Sequence, residues 1–288
     1  MANKFQMRAR LRGLVDTAAT GLAILATILV ILPLVAIFIY LIYKGASSLN
    51  LNFFTQIPKP IGEEGGGMAN AIVGSAVLLG IASALGVPVG IGAGIYLAEF
   101  GRGTKLATAI RFTADVLNGV PSIVMGLAAY SLIVVPQGHF SAFSGGVALG
   151  IMMIPTICRT SEEMLLMVPH AVREAALGLG VPNWRSVLSI TVRTASPGII
   201  TGCMLAFARV AGETAPLLFT ALGNDFWSVS LKEPIAALPL QIYTYALSPY
   251  DDWHRLAWAG ALVLISLIVV AVSLVRFVTS RGVLKGAS

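Results

Sequence analysis

Long apolar stretches separated by short polar segments form the main pattern along the chain. The first stretch, Thr20 to Tyr43, is almost uninterruptedly apolar and exceeds the about 7–15 apolar residues of a signal peptide. A helix needs about 20 apolar residues to cross a bilayer, so this stretch predicts a retained transmembrane helix over residues 18–43. Comparable stretches predict further spans over residues 69–98, 112–135, 143–158, 194–222 and 257–278. The expected fold class is therefore all-α integral membrane, with six transmembrane helices.

The polar segments between these spans divide the chain into an N-terminal segment, a loop, a core of five spans and a tail. Their bounds are residues 1–17, 44–68, 69–280 and 281–288. Within the core, residues 159–193 form a charged insert between spans four and five, and residues 223–256 form a long loop. The fourth span is short for a crossing, so we expect it to borrow residues beyond Arg159 or to be sheltered by neighbouring helices.

The second predicted span carries small residues at regular spacing. They are Ala82, Gly86, Gly90, Gly94 and Ala98. Residues four apart lie close to one stripe of a helix, and a stripe of small residues lets another helix approach closely in a membrane. We therefore expect tight helix packing along this face.

Composition supports the membrane assignment. The chain is 57% hydrophobic and only 11% charged, with mean hydropathy +0.86, whereas soluble domains carry about 25% charged residues. The apolar stretches are continuous rather than alternating, which argues against a β-barrel. Two cysteines, Cys158 and Cys203, lie far apart in apolar stretches and are expected to be buried thiols rather than a disulfide or metal ligands. We expect no metal site.

The distribution of basic residues predicts the orientation of the chain. With six spans, fourteen Lys and Arg residues lie in the termini, the segment 99–111 and the insert, and four lie in the other loops. Arg209 lies deep within a span. Because Lys and Arg concentrate on the cytoplasmic side, we expect both termini and the insert 159–193 to be cytoplasmic. The loop 44–68 is then expected to be periplasmic.

The charged insert has a helical pattern. Pro169 can open a helix, Arg173 and Glu174 fall in its early turns, and glycines at 178 and 180 can end it. Pro182 can open a second short helix that carries Trp184 and Arg185. Composition alone allows either an interfacial amphipathic hairpin or a docking element for a cytoplasmic partner.

The insert resembles the EAA loop of bacterial ABC importer permeases. The resemblance consists of Glu174-Ala175-Ala176, Gly180 six residues after Glu174, and Ile190 ten residues later. The chain departs from the family pattern at Val192-Arg193, where the family usually has Leu-Pro. In that family the loop forms a coupling helix that sits in a groove of the ATPase subunit. The resemblance therefore implies ATPase coupling through Arg173, Glu174, Ala175, Ala176, Gly180, Trp184 and Arg185.

Two more segments are similar to the permease subunits of the bacterial high-affinity phosphate importer. They are Asn118-Gly-Val-Pro-Ser-Ile-Val-Met-Gly126 and Ala208-Arg-Val-Ala-Gly-Glu-Thr-Ala-Pro216. With Arg173–Gly180, the resemblance covers roughly residues 65–280. It implies a type I ABC importer permease fold (MetI-like) in the bacterial cytoplasmic (inner) membrane. It also implies three kinds of partner: a second homologous permease subunit, two copies of an ATP-binding-cassette ATPase, and a periplasmic phosphate-binding protein.

The chain has no Walker A motif, so ATP and Mg are expected to bind in the partner ATPase rather than here. We expect no cofactor in this chain and no enzymatic activity of its own. Besides the protein partners we expect contact with membrane lipid and none with nucleic acid.

A charged pair interrupts the fifth predicted span. Arg209 and Glu213 are four residues apart and would share a face if the helix were continuous. An ionised side chain at mid-bilayer costs about 2.5–3.5 kcal/mol on the gentler scales, so the pair needs either a structural or a substrate-binding role. The Arg fork suits phosphate. Thr214 adds a hydroxyl, and Asn118 and Ser122 on span three are expected either to line the same path or to bond between helices.

We therefore expect a permease subunit that moves inorganic phosphate into the cytoplasm. A permease for another oxyanion, sulfate or molybdate, is the first alternative. An ATP-independent channel or secondary transporter is the second, disfavoured by the coupling loop and by the lack of a detectable inverted repeat. An intramembrane enzyme is the third, disfavoured because no metalloprotease motif or nucleophile–base constellation is present.

Overall fold

The computed structural model describes residues 2–60, 63 and 65–285. Within these residues the regular secondary structure is helical. The helices are α1 (Ala2–Gly45), α2 (Leu51–Thr55), α3 (Ala69–Phe100), α4 (Lys105–Gly119), α5 (Ser122–Gln137), α6 (Ala142–Leu166), α7 (His170–Gly178), α8 (Asn183–Ala211), α9 (Ala215–Thr220), α10 (Leu238–Ala246) and α11 (Asp251–Lys285). Three of them contain a π-helical turn: Tyr96–Phe100 in α3, Tyr130–Val134 in α5 and Val187–Thr191 in α8.

Five helices in the described part of the chain are long and apolar enough to cross a membrane. They are α1, α3, α6, α8 and α11. Helices α4 and α5 meet the same criterion only as a pair, and they are bent by 111° where they join. The predicted all-α membrane fold is confirmed, with five to six candidate spans: five continuous helices and the bent pair α4–α5.

The third predicted span, 112–135, is wrong as a continuous helix. Helix α4 begins earlier, at Lys105, and ends at Gly119, after which Val120 and Pro121 have extended ψ angles of 132° and 139°. Proline disfavours the α conformation in the residue before it, and it has no N–H to donate within a helix. The chain therefore turns sharply at Val120–Pro121 and starts a new helix at Ser122.

The fifth predicted span, 194–222, is also interrupted. Helix α8 begins within the insert, at Asn183, and ends at Ala211, and α9 begins at Ala215. Gly212, Glu213 and Thr214 lie between them. Glycine favours a helix end, and Pro216 stands at the second position of α9, where its missing N–H costs nothing.

Several other element bounds differ from the sequence-based ones. Helix α6 has 25 residues and runs to Leu166, because its charged last turns pair with α4. The non-helical parts of the insert are correspondingly shorter than 159–193. Helix α1 extends through the N-terminal segment, and the loop 223–256 contains α10 and the start of α11. Residues 286–288 of the predicted tail lie outside the described residues.

Helices α3 and α6 form the tightest pair of the core, and the small residues of α3 face α6. A Cβ added at Gly86 would lie 2.8 Å from Met153 Cβ, and one at Gly90 would lie 2.7 Å from Ile157 Cβ. A Cβ at Gly94 would lie 2.5 Å from Ser161 Cβ. The predicted close approach of a second helix is confirmed.

Helix α1 stands apart from this core. None of its most apolar 18-residue window is buried, and its packing is at its C-terminal end, against α11. There Gly45 lies close to Trp258 and Leu262, and Tyr40 meets Trp258 edge to face at 5.2 Å. Most of its apolar surface is therefore left for lipid or for another chain.

Candidate functional site

The insert between α6 and α8 folds as a helix, a tight turn and the start of a second helix. Pro169 precedes α7, and Pro182 precedes α8, which is where the fixed φ of proline suits a helix start. Gly180 between them has φ +77°, a left-handed conformation that favours glycine. This segment presents a short helix on a well-defined turn.

Most side chains of the predicted coupling surface are exposed. Glu174, Ala175, Gly180 and Arg185 are exposed, and Trp184 is 61% exposed. Leu179, which the sequence analysis did not single out, is 84% exposed. An outward-facing tryptophan and leucine beside charged groups form a surface suited to a protein partner.

Two residues of the predicted coupling set point the other way. Ala176 is buried, and the Arg173 side chain is only 12% exposed. The Arg173 guanidinium donates to Glu99 Oε1 at 2.7 Å, to the Leu165 carbonyl at 2.7 Å and to the Val168 carbonyl at 3.0 Å. Arg173 thus anchors the insert to the membrane helices rather than offering its charge to a partner.

A second group of charges, which sequence reasoning missed, joins α4 to the last turns of α6. Glu162, with a 4% exposed side chain, accepts from Arg111 at 2.6 Å and from Arg159 at 3.0 Å. Arg159 also pairs with Asp115 at 3.0 Å. The i,i+3 spacing of Arg159 and Glu162 was a signal available in the sequence, but their partners on α4 lie about fifty residues away.

Arg209 and Glu213 do not share a helix face, so that expectation is wrong. Arg209 lies in the last turn of α8 and is exposed, whereas Glu213 lies in the break after Ala211. Among the described residues, no ion pair within 4.0 Å joins the two. Arg209 therefore presents its charge at the surface of this chain, within a membrane-spanning helix.

Asn118 and Ser122 are separated by the bend between α4 and α5. Asn118 lies near the end of α4 and accepts a hydrogen bond from Thr156 at 3.1 Å. Ser122 is the first residue of α5, so the two do not lie along one helix face as expected. Asn118 does make the inter-helix hydrogen bond that was the alternative interpretation.

The helices that follow the two interruptions pack against each other. A Cβ on Gly126, one turn after Ser122, would lie 2.7 Å from Pro216 Cα and 3.4 Å from the Ala215 carbonyl. Thr214 contacts the Pro239 carbonyl at 3.5 Å. Helix α5, which follows the first break, therefore packs on the start of α9, which follows the second break.

Interrupted spans of this kind can present polar backbone to a solute. Non-helical backbone at membrane depth is tolerated where it is buried in protein or lines a water-filled cavity, and broken helices in transporters present polar backbone to solutes. Here the breaks carry Glu213 and Thr214, flanked by Asn118 and Ser122, with Arg209 less than one turn before the second break. Within the described residues, no cluster of His, Cys, Asp or Glu could hold a metal ion.

Comparison with known proteins gives consistent similarities. Residues 90–282 match a family described as "Binding-protein-dependent transport system inner membrane component". The chain is 47% identical over 238 residues to the phosphate transport system permease protein PstA of Yersinia pestis, covering 83% of this chain and 81% of that protein. It is 46% identical over 254 residues to PstA of Haemophilus influenzae, covering 88% and 89%.

Among solved structures, an inward-facing form of the MetNI methionine ABC transporter contains a similar chain. The TM-score is 0.57 at 19% sequence identity, covering 77% of this chain and 97% of that one. At this identity the likeness is one of fold.

Proposed function

The chain belongs to the family of binding-protein-dependent transport system inner membrane components, and from this we propose that it is a permease subunit of an ATP-driven importer of inorganic phosphate. Relatives at 46–47% identity over most of the chain are named phosphate transport system permeases. The structural observation that carries the proposal is Arg209, an exposed guanidinium on a membrane-spanning helix, less than one turn before a helix break.

Arg209 has the chemistry that a phosphate path requires. Its planar fork donates two parallel hydrogen bonds to an oxyanion and stays charged at every physiological pH. Within the described part of the chain no carboxylate lies within 4.0 Å of its guanidinium. Its charge is therefore available for an anion that passes along the surface of α8.

Glu213 and Thr214 add selectivity to this path. A carboxylate accepts a hydrogen bond from a protonated phosphate oxygen, whereas sulfate at neutral pH has no proton to donate. Both residues lie in the non-helical backbone between α8 and α9. We place Asn118 and Ser122, which flank the break between α4 and α5, along the same path.

We assign each of the other proposed partners to an exposed part of the chain. The exposed face of α7, the turn after it and the start of α8, with Glu174, Leu179 and Trp184, dock in the ATPase, which holds ATP and Mg. A second homologous permease covers the exposed face that carries Arg209 and completes the pathway. A periplasmic phosphate-binding protein delivers the substrate on the side opposite the termini.

Uptake of labelled phosphate into vesicles containing the complete importer tests the proposal. Arg209→Lys keeps the charge but loses the bidentate fork, and we expect transport to fall about 10-fold or more, since hydrogen bonds to charged groups contribute about 1.5–3 kcal/mol. Arg209→Gln should leave almost none. Arg193→Gln, at an exposed arginine more than four turns earlier in the same helix, is the matched control and should transport normally.

The double variant separates a substrate role from a structural pair. Because Arg209 and Glu213 are not paired in the structure, Arg209→Gln with Glu213→Gln should remain as inactive as Arg209→Gln alone. Recovery of uptake in the double variant at matched membrane levels would make the pair structural and remove Arg209 from the path. Competition by sulfate or molybdate at equal concentration would instead point to a different oxyanion.

A further inference from the structure

An ion pair between Glu99 and Arg173 links α3 to the insert. Of the ion pairs that the insert makes in the described part of the chain, it has the most buried side chains. Their exposed fractions are 8% and 12%, and the Nη2–Oε1 distance is 2.7 Å. The two residues are 74 positions apart in the sequence. The pair therefore closes a long loop of chain between the end of α3 and the start of α7.

Arg173 joins three elements at one point. Its guanidinium contacts Glu99 in the last turn of α3, the carbonyl of Leu165 in the last turn of α6, and the carbonyl of Val168 just after that helix. Carbonyls at a helix C-terminus lack intrahelical donors and attract cations. Arg173 itself belongs to α7, the helix whose outer face is exposed.

The α3 end of this contact is rigidly built. Glu99 lies in the π-helical turn Tyr96–Phe100, in which Leu97 and Ala98 are fully buried. Arg111 donates to the Leu97 carbonyl and Arg102 to the Ala98 carbonyl. A π turn of this kind is frequently retained at functional positions.

We propose that Glu99 and Arg173 form the joint through which movement of α7 is transmitted to α3 and α6. The pair does not touch the docking partner, because both side chains are turned away from the exposed face of α7. Its role is to keep the coupling helix and the ends of two membrane helices moving as one unit. The proposal rests on the proposed function, since it needs an ATPase that moves α7.

The complete importer in nanodiscs, with ATPase and phosphate-loaded binding protein, tests the joint. In Glu99→Gln and Arg173→Gln we expect the ATPase to stay bound while stimulation of its hydrolysis by the loaded binding protein falls about 5-fold or more, the usual size of a coupling between sites. Arg173→Lys keeps the charge opposite Glu99 but loses the fork, and should lie between these variants and the original chain.

Arg159→Gln is a matched control. Arg159 likewise pairs with carboxylates, Glu162 and Asp115, but it ties α6 to α4, and in the described part of the chain it has no hydrogen bond or ion pair with α3 or α7. Its loss should lower basal and stimulated hydrolysis in proportion, leaving their ratio unchanged. The proposal is overturned if Glu99→Gln and Arg173→Gln keep the same ratio as Arg159→Gln, or if they release the ATPase.

The joint formed by Glu99 and Arg173 can also be tested in the isolated chain, without the ATPase. Spin labels at Leu179→Cys and Phe100→Cys, both exposed, report the distance between the insert and the end of α3, with Cys158 and Cys203 replaced by alanine. We expect one narrow distance in the original chain and a broad distribution in Glu99→Gln. Equal widths would overturn the joint, whereas failure of the original chain to bind any ATPase would overturn only the proposed function.

Discussion

Two glycines of the insert differ in what their backbones require. Gly180 has φ +77°, whereas Gly178 ends α7 with ordinary helical backbone. A Cβ added at either position would meet nothing within 4 Å. Space is therefore equal at the two sites, and any difference between substitutions there is conformational.

We expect Gly180→Ala to destabilise the turn by about 1–2 kcal/mol, the cost of the left-handed conformation for an L-residue. Gly178→Ala should be neutral or slightly stabilising, since alanine favours a helix by up to about 1 kcal/mol. Co-purification of the ATPase with each variant measures the effect at the docking surface. Equal loss of ATPase from both variants would show that contact with the partner, rather than backbone geometry, explains the need for glycine.

At the scale of elements, the α3–α6 seam depends on the absence of side chains on one face of α3. Gly94 faces Ser161 at 2.5 Å, measured from a hypothetical Cβ, and the Cys158 carbonyl at 2.8 Å. Gly92, on the other side of the same helix, has open space around it. The same substitution at the two positions therefore tests the seam and the helix separately.

Gly94→Ala should lower the stability of the chain by about 1–3 kcal/mol, because an extra methyl group forces the two helices apart. Gly92→Ala should leave stability unchanged or raise it slightly. Thermal unfolding in detergent gives both values under one condition. Equal melting temperatures for the two variants would contradict the close packing of α3 on α6.

Elements that depend on residues close together in the sequence were the ones that could be predicted. Apolar stretches and small-residue spacing are local, and they identified the spans and the packing face of α3. The break at Val120–Pro121 had a local signal, the proline, but an apolar run on both sides outweighed it. The turn after Ala211 also had local signals, Gly212 and Pro216, but they lie within a long apolar stretch that predicts a continuous span.

Long-range contacts could not be predicted in the same way. Nothing in the spacing of the insert indicates that Arg173 turns inward to Glu99, since that contact depends on how α3, α6 and α7 pack. The same holds for Arg111 with Glu162. The sequence identified Arg209 as a charge within a predicted span, but the exposure of its side chain depends on where α8 ends.

The accessible surface of the whole molecule is larger than that expected for a compact protein of the same mass. Its accessible area is 17018 Å², whereas a compact monomer of 30.1 kDa exposes about 12,000 Å². Much of the excess lies on apolar spans such as α1, where Val30 is 76% exposed. Lipid and, under the proposed function, a second permease would cover this surface, so we expect the isolated chain to be less stable than the assembly.

The orientation of the whole chain can be measured with two cysteines. Both native cysteines are buried, so the original chain should not react with a membrane-impermeant thiol reagent and serves as the control. Asn183→Cys should react only from the cytoplasmic side and Asp251→Cys only from the periplasmic side, because Lys and Arg concentrate on the insert side. The reverse labelling would contradict both the orientation and the docking of an ATPase on α7.

The π-helical turn Val187–Thr191 makes α8 tolerant to a change of length at one place only. A π turn holds one residue more than an α turn, so deletion of the exposed Ser189 should restore regular helix and leave both flanks in register. Deletion of the equally exposed Thr201 would rotate everything beyond it by about 100° and swing Arg209 away from its face. A deletion scan of α8 scored by phosphate uptake should therefore show one permissive window, and gaps in α8 among related sequences should fall within it.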